Sequence, residues 1–540
     1  MERRAWLKMA AAGSAALAQA VGASVAGARE AARVSNVFAE IPFDLSEVTV
    51  AELQSAMQSG ARTAASITRD YLARIAALDR NGPAINSIIE LNPDAPSIAE
   101  VLDRERQERG PRGPLHGIPV LVKDNLDSGD RMRTTAGSLA LDASNAGRDC
   151  FVVERLRAAG CVLLGKTNLS EWANFRSSRS TSGWSARGGQ TRNPYALDRN
   201  TSGSSSGSAA AIAANLCVLA VGTETDGSIV SPSSTCGIVG IKPTVGLVSR
   251  SGIVPIAASQ DTAGPMARTV ADAAVLLGAI TGVDPRDAST LGSRGKAHVD
   301  YTRFLDRHGL KGARIGIARE FFGANDRLDR VIDESIIAMR HAGAVIVDPV
   351  RIATKEQLSE SEYEVLLYEF KAGLNDYLST RDGAVRSLAD LIAFNERNAA
   401  REMPYFGQER LIAAQEKGPL TESGYRRALS RNRRLSRLRG IDATLARDRL
   451  DAIVAPTEGP AWLTDLVTGD HEAGGCSQLA AVAGYPHITV PAGLVFGLPV
   501  GVSFFASAYS EPVLIKLAYA YEQATTMRRL PQFSASALLI

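Results

Sequence analysis

The sequence predicts an α/β fold, one large domain with a central mixed β-sheet covered by helices on both faces. Three observations carry this expectation. Short, wholly apolar runs at Ile118–Val122, Cys161–Leu164, Val218–Val221, Ile238–Ile241 and Ile315–Ala318 read as strands. They lack the in–out alternation of a half-exposed strand, so both faces of the sheet must be covered. Segments of helical pattern lie between them, and the punctuation is too sparse to mark a second domain.

Taken in order, the first elements are helices around 49–59 and 63–79. In the second, Ile67, Tyr71, Ile75 and Leu78 recur at helical spacing, and Asn81-Gly82-Pro83 stops it. Phe151–Ala159 has a helical pattern, with Gly160 as its C-cap candidate, and Ser208–Leu216 is Ala-rich and helical. From 282 to 312 the apolar periodicity fades, which fits a linker, but strand–helix alternation resumes at 313–350 and again after 451.

Composition narrows the function class. The 540 residues are 45% hydrophobic and 22% charged, as in an ordinary soluble enzyme. Sixty basic and 58 acidic residues leave a net charge of +2, with no electrostatic footprint for nucleic acid. Seven arginines crowd residues 426–439, but Leu429, Leu435 and Leu438 interrupt them, and the run reads as the solvated face of a helix. Cys150, Cys161, Cys217, Cys236 and Cys476 show no C-x-x-C spacing. They read as small buried hydrophobes rather than metal ligands, and no particular disulfide pairing follows from their positions. No metal or other cofactor is expected.

The N-terminus opens Glu2-Arg3-Arg4-Ala5-Trp6-Leu7-Lys8, a twin-arginine pattern, with a mildly apolar Ala-rich stretch behind it and Ala26-Gly27-Ala28 as an A-x-A site. Residues 1–28 are therefore expected to be an export signal addressing a folded protein to the periplasm, with the enzyme domain at 29–540. The stretch is too short and too weak for a stable membrane span.

Three segments carry candidate chemistry: Gly203-Ser204-Ser205-Ser206-Gly207-Ser208 opening a helix, Gly222-Thr223-Glu224-Thr225-Asp226-Gly227-Ser228 after a strand, and Val122-Lys123-Asp124-Asn125 at a strand end. The first matches G-x-S-x-G, yet the nucleophile elbow needs a buried strand directly upstream, and Arg192–Asn200 is polar and contains a proline. A phosphate-binding loop is disfavoured too, since no lysine follows in Walker spacing. Six histidines are present, and for each a structural or surface role is the default.

In combination the three segments resemble the amidase signature family, from about residue 45 to the C-terminus. His116-Gly117-Ile118-Pro119, Gly165-Lys166-Thr167-Asn168, Gly240-Ile241-Lys242-Pro243-Thr244 and Asp261-Thr262-Ala263-Gly264-Pro265 match as well. The resemblance implies a Ser-Ser-Lys triad that cleaves amides through an acyl-enzyme: Ser228 the nucleophile, Lys123 the base, and Ser204 the relay after a cis Gly203–Ser204 bond. It also implies an oxyanion hole from the backbone N–H groups of Thr225, Asp226, Gly227 and Ser228, with Ser205 in support. A free lysine has a pKa of ~10.4, so Lys123 must be buried to serve as a neutral base. Where the common family pattern reads D-x-G-G-S, this chain has Glu224 for the aspartate and Asp226 for the first glycine. The Asp226 side chain is therefore expected to shape the substrate pocket. Trp172 and Asn174 are left out of the site as packing residues.

Within the family, Gly165–Arg176, Thr223–Ser228, Tyr368–Leu374 and Ala481–Pro486 resemble the bacterial peptide amidases most. That implies removal of the C-terminal amide of peptides with release of ammonia, by a monomer or small homo-oligomer that takes no nucleic acid and does not insert stably in a membrane. The alternatives are an amidase of other small, aryl or aliphatic amides, a member of the A-type amidotransferase subunits, and an inactive binding protein on the same fold.

Overall fold

A computed structural model describes residues 43–538. The expected signal at 1–28 therefore lies outside the described residues.

The first two helices form where the pattern places them, at Val50–Gln58 and Ala64–Ile75. Each is started by a threonine, Thr49 or Thr63, whose hydroxyl accepts from a backbone N–H of the first turn while the side chain of Glu52 or Ser66 reaches back. The stripe Ile67, Tyr71, Ile75 and Leu78 is wholly buried. A wide turn at Ala76–Arg80 carries the chain to the Asn81-Gly82-Pro83 stop.

The strands are β1 Ile88–Leu91, β2 Pro119–Lys123, β3 Val162–Thr167, β4 Trp184–Ser185, β5 Gly189–Gln190, β6 Leu219–Glu224, β7 Val239–Lys242, β8 Thr262–Ala267, β9 Arg314–Ile317, β10 Val345–Val347, β11 Ala452–Pro456, β12 His487–Val495 and β13 Leu498–Phe505. The β4–β5 hairpin stands apart, and the other eleven strands form one sheet in the order β1-β3-β2-β6-β8-β7-β12-β13-β11-β9-β10. The sheet is mixed. Pairing is parallel through β3–β2–β6 and β11–β9–β10, and antiparallel elsewhere.

Every residue of β2, β3, β6, β7, β8, β11 and β13 is buried, and for β2, β3, β6 and β7 this is why an unbroken apolar run marks the strand in the sequence. Helices Ser206–Ala213 and Val270–Ile280 both pack on β6 and β8, and helices Val230–Thr235 and Glu511–Thr525 both pack on β12 and β13. Alternate side chains of β6, β8 and β13 point to opposite faces and all are buried, so both faces of the sheet are covered. Strand β8 escapes the sequence reading because Gly264 and Pro265 interrupt its apolar content. It is held by antiparallel neighbours on both sides.

Residues 282–312 are not a linker. They carry only the short turns Ala288–Ser293 and Thr302–Phe304, yet Tyr301 and Leu310 are buried in the main core. All five cysteines are free and buried. The arginine run lies on helix Ser423–Arg433 and the wide turn after it, with six of its arginines exposed. Arg437 departs from that reading: it is half-buried, donates to the Ala483 carbonyl at 2.7 Å and lies over the Tyr485 ring.

The Gly/Ser stretch owes its second glycine to a close approach. A Cβ on Gly207 would stand 2.2 Å from the Ser87 carbonyl oxygen and 2.5 Å from that of Asn168. Backbone cannot yield as a side-chain tip can. Gly207→Ala is expected to destabilise the fold by about 1–3 kcal/mol, in the range of overpacking changes, read from the denaturant midpoint at unchanged m-value.

Candidate active site

β2 and β6 are parallel neighbours in register Val122 with Val221, so Lys123 and Thr223 emerge together at the carboxyl ends of the two strands. That end of an open α/β sheet is where ligands bind. The turn into helix Ser206–Ala213 brings Ser204 to the same place, and the peptide bond before Ser204 is cis. The Lys123 amine nitrogen, Nζ, lies 2.7 Å from Ser204 Oγ, 2.9 Å from Thr223 Oγ1 and 3.3 Å from the Thr223 carbonyl oxygen. Asn125 Nδ2 donates to Thr223 Oγ1 at 2.9 Å and fixes that hydroxyl.

Lys123 is completely buried. Loss of hydration pulls its pKa down to about 7, against the opposing pull of the Glu224 and Asp261 carboxylates. A neutral amine has two N–H donors and one lone pair. The carbonyl and hydroxyl oxygens of Thr223 take the donors, which leaves the lone pair to face the Ser204 hydroxyl.

Ser228 sits in the turn between β6 and helix Val230–Thr235. Its carbonyl accepts from Ser205 N–H at 3.2 Å, which ties this turn to the Gly/Ser stretch. Ser205 Oγ locks the arrangement by donating to the Thr223 carbonyl and accepting from Thr223 N–H, at 3.1 and 3.2 Å. Among the described residues Ser228 Oγ takes part in no side-chain hydrogen bond, and Ser228 lines an open cavity.

The turn itself is braced from below. Glu224, fully buried, accepts from the N–H groups of Ile229 and Val230 at 2.8 and 3.0 Å, and so holds the start of the helix that follows Ser228. Thr225 Oγ1 donates to Asp261 at 2.6 Å, and the other oxygen of Asp261 accepts from the N–H groups of Ile256 and Ala257. Burial raises the Asp261 pKa to about 6. Gly227 has φ 77°, and a Cβ there would meet Ser231 Oγ at 2.9 Å. The N–H groups of Thr225–Ser228 make no backbone hydrogen bond among the described residues. They are free to donate to a group bound beside Ser228.

The cavity beside Ser228 has a volume of about 530 Å³ and is lined by hydroxyls and carboxyls, with Phe175, Tyr363 and Leu366 among the apolar contributors. The sequence groups Trp172 and Asn174 together as packing residues, and the structure separates them. Trp172 is buried in a hydrophobic cluster, whereas Asn174 lines the cavity. The reason is local: Trp172, Ala173 and Asn174 are successive left-handed residues with φ 50°, 52° and 73°, so the segment turns rather than continuing as a helix. Thr223, Asn125 and Asp261 were missed as supports. Each lies inside or beside a segment singled out for other residues. Glu362 and Glu458, which also line the cavity, had no local signal. Of the histidines, His116 is buried against the Leu102 carbonyl and His487 is buried beside Ser503. Neither bonds to Lys123, Ser204 or Ser228.

A family model described as Amidase matches residues 66–515. The chain belongs to the amidase family. This amidase is 43% identical over 503 residues to a probable amidase of Arabidopsis thaliana, covering 91% of this chain and 93% of the relative. It is 35% identical over 488 residues to the A subunit of the glutamyl-tRNA(Gln) amidotransferase of Pseudomonas syringae pv. syringae, covering 89% and 98%. Among solved structures it is similar to the native peptide amidase from Stenotrophomonas maltophilia, with TM-score 0.87, 53% identity, and coverage of 91% of this chain and 100% of the other. Membership identifies it as an amide hydrolase of the serine type.

Proposed function

We propose that this amidase removes the C-terminal amide of peptides as ammonia, with Ser228 as nucleophile, Lys123 as base and Ser204 as the relay between them. The observation that carries the mechanism is the fully buried Lys123 amine, 2.7 Å from Ser204 Oγ, with both of its N–H donors already engaged by Thr223. Ser228 Oγ attacks the amide carbonyl carbon and gives its proton to Ser204 Oγ, whose own proton passes to Lys123 Nζ. The carbonyl oxygen takes up the negative charge facing the N–H groups of Thr225–Ser228. As the intermediate collapses, the C–N bond breaks and the proton returns from Lys123 through Ser204 to the nitrogen, so ammonia leaves. Water then repeats the cycle on the acyl-enzyme and regenerates Ser228.

The similarity to a peptide amidase at 53% identity, against 35% to the amidotransferase protein, supports a peptide substrate over transamidation. The roomy, hydroxyl-lined cavity agrees with a polar chain more than with a fatty acyl group. The twin-arginine pattern at Arg3-Arg4 supports export to the periplasm, which fits scavenging of peptide amides better than transamidation on tRNA. The decisive comparison is ammonia release from C-terminally amidated peptides, acetamide, glutamine and a long-chain fatty amide. The peptide amides are expected to show the highest kcat/KM. If they are the poorest of the four, the substrate assignment is wrong.

A further inference from the structure

The cavity beside Ser228 is lined by five carboxyl groups, Asp226, Glu362, Glu458, Asp470 and Glu472, and by one cation, Arg410. Two of the five are already satisfied. Asp470 accepts from the Ser182 N–H and hydroxyl at 2.9 and 2.6 Å and from Trp462 Nε1 at 3.3 Å. Glu362 accepts from Gln260 and Gln478 at 2.9 and 2.8 Å. Arg410 is held to the wall, donating to the Asn174 carbonyl at 3.4 Å with its guanidinium over the Phe175 ring.

The remaining acceptors are different. Glu458 is only 3% exposed, yet its Oε2 has no hydrogen-bond partner among the described residues. Asp226 Oδ1 and Asn174 Oδ1, on the same cavity, are likewise closed off from solvent and unpartnered. Buried acceptors in native proteins are as a rule satisfied by protein groups, ordered water or ions, and a group of them around one open cavity is able to receive a ligand that brings donors. Glu472 stands exposed at the rim, beside Glu458.

We infer that this amidase selects substrates bearing a positively charged nitrogen, and that Asp226, Glu458 and Asn174, with Glu472 at the rim, seat that ammonium or guanidinium beside Ser228. An ammonium supplies three N–H donors and a guanidinium five, and either offsets the charge of the surrounding carboxylates. Burial first, and a facing carboxyl second, push Asp226 and Glu458 well above the ordinary carboxylate range, and a bound cation relieves both effects. An anionic substrate group finds like charge here, an apolar one leaves the acceptors unpaired, and a neutral donor pairs with them without offsetting their charge. The charge has two possible sources in a peptide amide, a Lys or Arg side chain next to the scissile bond or a free α-ammonium. The choice between them rests on the peptide-amide reading; the preference for a cation does not.

The test compares kcat/KM within pairs that differ in one charge: acetyl-lysinamide against acetyl-norleucinamide for the side chain, alanyl-leucinamide against its N-acetyl form for the α-ammonium, and an ω-aminoalkyl amide against the alkyl amide of equal length for a substrate that is no peptide. The cationic member is expected to be favoured by about tenfold or more in at least one pair, and the ratio to collapse toward one in Glu458→Gln and Asp226→Asn. A preference confined to the third pair, with no turnover of peptide amides, upholds the cation site and overturns the peptide reading. Ratios near or below one in all three pairs for the unaltered enzyme overturn the inference, whether or not the variants fold. So does a cation preference that both substitutions leave intact.

Discussion

Replacing Ser228 with alanine is expected to lower kcat for any amide substrate by at least about 10⁴-fold, the scale seen when a nucleophile is removed from a unit whose members act together. The loss follows from the absence of a substitute. Ser205 Oγ is committed to the backbone of Thr223, and Ser204 Oγ faces Lys123 rather than the cavity, so neither hydroxyl takes over the attack. The fold is expected to survive, because among the described residues Ser228 Oγ contributes no hydrogen bond and the turn is braced by its own carbonyl and by Glu224. Ammonia release gives the rate, and an unchanged thermal midpoint and circular dichroism spectrum give the fold. A loss of less than about 10²-fold would place the nucleophile elsewhere.

The second large effect belongs to Lys123. Its amine acts as a base only when neutral, and burial brings its pKa to about 7. In the unaltered enzyme kcat/KM is therefore expected to rise with pH and to reach half its plateau near 7, since below that value the amine is protonated and has no lone pair for Ser204. Lys123→Ala is expected to lose at least about 10²-fold in kcat, at the lower end for general-base catalysis. Lys123→Met, which keeps most of the volume, is expected to lose as much, so that the effect is not one of packing. The limb near pH 7 is expected to vanish in both variants. A limb that persists would assign the titration to another group, with Asp261, near 6, the first to examine.

Much of this site was legible in the sequence because its parts sit at the ends of elements with strong signals. Lys123 ends an apolar run, Ser204 opens an Ala-rich helix and Ser228 follows a buried strand. What no local pattern conveys is that β2 and β6 lie side by side, although their residues are about 100 positions apart in the chain. Only the family resemblance joined them. The supports were less legible for a physical reason. Thr223 and Asn125 act through side chains whose partners come from other strands, and Glu458 and Glu362 reach the cavity from distant elements with no motif around them. The fold showed the same division. Wholly apolar strands were visible, while β8, with Gly264 and Pro265 inside it, and the packed segment at 282–312 depend on neighbours that the local sequence does not reveal. Asn174 was not legible because three successive left-handed residues turn the chain there and bring its side chain to the cavity while Trp172 stays in the core. Glu224 and Asp226, the two departures from the common family pattern, turn out to do different things. Glu224 holds the turn from beneath, and Asp226 faces the cavity.

The site of covalent capture identifies the nucleophile directly. The enzyme is treated with a serine-reactive phosphonate, digested, and the modified peptide sequenced by mass spectrometry. The account predicts a single adduct on Ser228, formed at a rate that rises with pH through about 7 and abolished in Ser228→Ala. An adduct on Ser204 or Ser205, or labelling that persists in Ser228→Ala, would contradict it.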